Sequence, residues 1–144
     1  MNHQLEDIKK ICICMPQDHK YFYEARACIQ KIRQPKFQIL LVLNRELELQ
    51  AEHHGKTEIY PHLPSNPFPI QEKMINNIPK RFDIAIDLSP KPSPLTAYIT
   101  GTRGKNLTIG LESDKLNSFY TVLVKPGNNY RESVITMLSL AGLL

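Results

Sequence analysis

Three short apolar runs decide what this chain can fold into. Ile11-Cys12-Ile13-Cys14-Met15 is apolar without a break, and Phe37 to Leu43 and Phe82 to Leu88 are nearly so. A strand that does not alternate polar and apolar residues is covered on both faces. Between the first two runs lies 20–33, YFYEARACIQKIRQ, with apolar positions at 22, 25, 28, 29 and 32. Steps of three and four place these on one stripe of a helix, and Pro35 is expected to end it. Strands that alternate with helices need crossover connections, which give a mostly parallel sheet with helices on both faces. The expected fold is therefore α/β, a Rossmann-like three-layer domain. The 144 residues suit one domain over 1–144. A chain of this length buries roughly 68–70% of its unfolded surface.

The remaining segments fit the same plan. Arg45 to His53 reads as a short helix with Gly55 at its end, and Thr57 to Tyr60 as a short strand. PHLPSNPFP, residues 61–69, holds four prolines and reads as an extended loop. Residues 70–78 read as a brief helix closed by Pro79. After SPKPSP at 89–94, Ser93 is the expected N-cap, with Pro94 at the first helical position. That helix is expected to reach about Thr100 and stop at Gly101. Asn106 to Leu111 and Phe119 to Val124 read as strands, and Asn128 or Asn129 caps a final helix ending in AGLL. The chain closes on that helix, so no further domain is expected after it.

Hydrophobic residues at 42% and charged residues at 22% exclude a disordered chain. The net charge of +4 comes from short groups in separate segments: Lys9-Lys10, Lys31/Arg33/Lys36, Lys80-Arg81 and Arg103/Lys105. No run reaches five like charges, and aromatics do not interleave with the bases. A solvated surface is expected rather than a nucleic-acid face. Cysteines at 12, 14 and 28 make an odd set, which fits a reducing compartment. The polar start MNHQLEDIKK is no secretory leader, and no apolar run approaches a membrane span. A cytoplasmic protein is expected.

In an open parallel sheet, ligands bind beyond the carboxyl ends of the strands, where the strand order reverses. Pro16-Gln17-Asp18-His19 follows the first strand, and Asp87-Leu88-Ser89 ends the fourth, with Ser93 beyond. If those strands are neighbours, Asp18, His19 and Asp87 converge as a candidate base with electrostatic support, beside Ser89 and Ser93. Glycine-rich phosphate loops are absent from the sequence, and Gly101 to Lys105 reads as a helix-to-strand turn. Cys12 and Cys14 share one side of a buried strand and read as small hydrophobes. No cofactor or metal is expected. Tyr21, Phe22 and Tyr23 cannot all face one core, so Tyr21 or Tyr23 is partly exposed. With Leu63 and Phe68 of the proline-rich loop, they are candidates for a contact surface.

Phe82-Asp83, Asp87-Leu88, Leu95-Thr96-Ala97, Gly101 and Ile109-Gly110 form a further pattern, joined by Tyr130-Arg131-Glu132, Met137-Leu138 and Ala141-Gly142-Leu143. It resembles the N-terminal, acceptor half of the ADP-heptose:lipopolysaccharide heptosyltransferase type of GT-B glycosyltransferases. The resemblance is confined to about the last 65 residues. It implies a nucleotide-sugar-binding second half, which this sequence lacks. It also implies a catalytic aspartate after a glycine behind the first strand. Asp18 is the only counterpart here, and the glycine is missing. The expectation is a non-catalytic, glycosyltransferase-like interaction or assembly module with a protein partner or a second copy. The alternative is the acceptor half of a split transferase, with Asp18 as base. A small-molecule ligand in the crevice is a further option.

Overall fold

Strands β1 (Lys9–Cys14), β2 (Phe37–Asn44), β3 (Thr57–Leu63), β4 (Phe82–Asp87), β5 (Gly104–Leu111) and β6 (Val122–Val124) form one sheet of order β3-β2-β1-β4-β5-β6. Every neighbouring pair is parallel. The computed structural model describes residues 9–32, 37–44, 57–63 and 75–144. The readings of 45–53 and 64–69 lie outside these residues, as does most of the helix expected over 70–78.

The apolar runs behave as expected of strands covered twice. Ile11, Ile13 and Met15 face one core and Cys12 and Cys14 the other, all 0% exposed. The larger core holds α1 (His19–Ile29) and α3 (Tyr130–Leu140) against the sheet, through Phe22, Ala25, Val134 and Met137. The smaller one holds α2 (Pro94–Arg103) through Leu95 and Ile99, with Ile75 and Ile78 beside it. The three layers follow from this. No helix among the described residues is long and apolar enough to cross a membrane.

Several boundaries move from their sequence expectation. α1 ends at Ile29, well before Pro35. Beyond the C-cap Gln30, two residues tighten into i→i−3 bonds, Lys31 N–H to the Cys28 carbonyl and Ile32 N–H to the Ile29 carbonyl. Ile32 stays in the core without being helical. β3 runs through Pro61, which an edge strand tolerates. The pairing with β2 is irregular there, between Val42 and Asn44. Ile75 and Ile78 make a single turn closed by a 3.0 Å bond. Gly101 does not end α2, which continues to Arg103. It is a packing residue: a Cβ there would lie 2.9 Å from the Phe119 carbonyl oxygen. β5 then begins at once, at Gly104. Phe119 belongs to a 3₁₀ turn, Asn117–Phe119, and β6 begins only at Val122. Ser93 caps α2 as expected, in a capping box with Thr96, and Asn129 caps α3.

Candidate functional site

β1 and β4 are neighbours, with one part of the chain wound to each side of them. This is the switch point of the sheet, and a crevice of about 360 Å³ opens at its carboxyl end. Gln17, Asp18 and Tyr21 form the wall that follows β1. Ser89, Pro90, Lys91, Ser93 and Thr96 form the wall that follows β4. The segments beyond the strands are tied down by backbone bonds, from Leu88 N–H to the Cys14 carbonyl at 2.9 Å and from Met15 N–H to the Val42 carbonyl at 2.8 Å.

Asp18 stands at the start of α1, where its Oδ1 accepts from Lys20 N–H at 2.9 Å. Ser93 does the same for α2, accepting from Thr96 N–H at 3.2 Å. Both helices point their N-termini toward the crevice ends of the strands, and both have satisfied part of their first turn internally. Ser89 Oγ lies 3.3 Å from Thr96 Oγ1, which is also 3.1 Å from Ser93 Oγ. The lining therefore presents a connected set of hydroxyls.

Asp87 lies below this set and is 0% exposed. Its Oδ1 accepts from Ser89 N–H at 3.0 Å and its Oδ2 from the Tyr120 hydroxyl at 2.6 Å. Burial raises the carboxyl's pKa, and the hydrogen bonds from Ser89 and Tyr120 act against that rise. Burial and the Asp87 charge push the Tyr120 hydroxyl well above its ordinary value. Tyr120 reaches Asp87 across β5 because Gly110 has no side chain: a Cβ there would lie 2.5 Å from the Tyr120 ring. Below, Cys14 accepts from Thr100 Oγ1 at 3.6 Å. Its pKa is raised, first by the Cys12 thiol and then by burial, so it is a protonated, closed-in group.

Tyr130 supports the crevice from α3. It donates to the Leu88 carbonyl and stands edge-on to Tyr21, with ring centroids 5.0 Å apart. Burial raises its hydroxyl pKa above the ordinary value.

Of the residues expected from sequence, Asp18, Ser89, Ser93 and Tyr21 meet at the crevice. Asp87 is underneath rather than in it. His19 is exposed and is not among the described lining residues. Tyr23 is 40% exposed on α1, with the Arg26 guanidinium 5.1 Å from its ring centroid. Phe68 lies outside the described residues, and nothing is described of the Leu63 side chain. Sequence reasoning missed Tyr120 and Tyr130. The available signal was Asp87 itself: an acid at the end of an apolar strand needs a donor from elsewhere in the chain.

Chemically, the crevice offers hydroxyl, amide and ammonium donors, one exposed carboxylate and an aromatic wall. Among the described residues, no group of three or more His, Cys, Asp and Glu is placed to hold a metal ion. Compared with protein-family models, curated proteins and solved structures, the chain matches none.

Proposed function

We propose that the chain is a non-catalytic, glycosyltransferase-like binding module that engages a protein partner through the crevice between the ends of β1 and β4. The observation that carries this reading is the commitment of its acids. Asp87 is buried with both oxygens bonded, and Asp18 holds the first turn of α1. The crevice walls are polar and fixed from below, which favours recognition over proton transfer.

A second reading, the acceptor half of a split glycosyltransferase, is favoured by one observation. Asp18 Oδ2 carries no hydrogen bond among the described residues, so a carboxylate oxygen remains for an acceptor hydroxyl.

The test is capture of a partner from native lysate at moderate salt by the tagged chain and by Gln17→Trp, which fills the crevice mouth. The expected result is a stoichiometric protein held by the first and lost by the second. The same protein held equally by both overturns the crevice reading. If the complex transfers sugar from a nucleotide-sugar donor and Asp18→Asn abolishes transfer, the second reading replaces the first.

A further inference from the structure

The opposite end of the sheet carries a second cavity. At the amino-terminal ends of β1, β2 and β4, a space of about 420 Å³ is lined by Ile39, Leu40 and Phe82 together with Lys10, Lys80 and Arg81. Leu40 and Phe82, both of the smaller core, form the floor with the exposed Pro79 beside them, while Ile39 packs into the larger core on the other face of the sheet. The three basic residues are exposed and form a rim. Its size falls within the range of about 300–1,000 Å³ typical of small-molecule pockets.

Parallel pairing assembles the rim. Ile11 pairs with Ile84, which sets the first residues of β1 beside the start of β4 and the residues just before it. Lys10 and the Lys80-Arg81 pair therefore meet despite their separation in sequence. Asp83, the acid beside them, receives the backbone N–H of Lys10 at 2.9 Å. No carboxylate is among the described lining residues. Three cations around an apolar floor are complementary to one kind of ligand. Its apolar body covers Pro79 and the outer edges of Leu40 and Phe82, and its charged group stays at the rim. Arg81 offers a planar fork suited to carboxylate, sulfonate or phosphate oxygens.

We propose that this cavity binds a small amphipathic anion, an aromatic or aliphatic body carrying one acidic group. It lies one strand length from the crevice, roughly 17 Å along β4, and takes a ligand of different chemistry.

The probe is 1-anilinonaphthalene-8-sulfonate, titrated by fluorescence into the folded full-length chain, with N-phenyl-1-naphthylamine as its uncharged counterpart. Saturable one-to-one binding of the sulfonate is expected. Lys10→Gln/Arg81→Gln should weaken it at least tenfold while changing affinity for the neutral probe less than twofold. Gln17→Trp at the crevice should leave both unchanged, which separates this site from the one proposed above. Amide shifts on titration should centre on Leu40 and Phe82. Circular dichroism checks the fold of the double variant. If it does not fold, salt dependence of the wild-type chain decides, since sulfonate affinity must fall with salt and neutral affinity must not. Non-saturable binding, equal affinity for both probes, full affinity in the double variant, or shifts centred on Ser89 and Lys91 would each overturn the proposal.

Discussion

The two ends of the sheet use polar groups in opposite ways. At the carboxyl end, Asp87, Ser89, Ser93 and Thr96 bond mainly to one another and to the backbone, and Asp18 bonds to its own helix. At the amino end, Lys10, Lys80 and Arg81 are exposed around an apolar floor. The first end is rigid and nearly neutral in its lining, and the second is open and cationic. One recess is shaped by polar groups bonded to one another, the other by cations at the edge of an apolar floor. Substitution should separate the two: structural damage at the carboxyl end, and lost binding with intact stability at the amino end.

The largest effect is expected at Gly110→Ala. The added Cβ overlaps the Tyr120 ring, and the ring can yield only by withdrawing its hydroxyl from Asp87. Overpacking costs about 1–3 kcal/mol, and stranding a buried acceptor costs about as much again. A loss of about 3 kcal/mol in urea unfolding is expected. A loss below about 0.5 kcal/mol would show that the carboxyl end does not depend on this contact.

Asp87→Asn tests the buried acid of the carboxyl end through pH. Burial raises the carboxyl's pKa in the folded state, so that state binds the proton more tightly than the unfolded chain does. The associated stability is complete below the ordinary carboxylate range and is lost as pH rises through the raised value. Asparagine cannot ionise, so the variant should gain on the wild type over the interval that begins near about pH 4 and ends above the raised value. Parallel stability profiles over that interval would sink the assignment.

Smaller effects separate capping from recognition at Asp18. Asp18→Ala should cost about 1 kcal/mol through loss of the α1 cap, and Asp18→Asn only a few tenths. An equal loss in both would mean that charge, not capping, is what Asp18 supplies to the fold. The smallest effect belongs to the amino end. Lys10→Gln and Arg81→Gln are expected to stay within about 0.5 kcal/mol of the wild type in thermal unfolding. A larger loss would make the rim structural and erase the contrast.

The fold was largely legible because its central strands are short, apolar and covered on both sides. Ile11 to Met15 and the stripe of Phe22, Ala25 and Cys28 each admit one placement. Boundaries were less legible where burial outlasts secondary structure, as at Ile32, or where glycine serves packing, as at Gly101. The crevice was half legible. Its loops follow from the rule for strand ends, but whether β1 and β4 are neighbours depends on long-range pairing that no local period records. The same blindness made Lys10 and Lys80-Arg81 look scattered. Tyr120 was invisible because its role depends on a glycine in another strand.

α2 passes into β5 with no residue between Arg103 and Gly104. Arg103 also donates to the Ile75 carbonyl at 2.9 Å, and Gly101 seats the helix on the 3₁₀ turn. The far end of the helix is thus hinged without slack, while Ser93 and Thr96 at the near end face the crevice. A bound molecule cannot slide this helix along its axis without dragging a central strand.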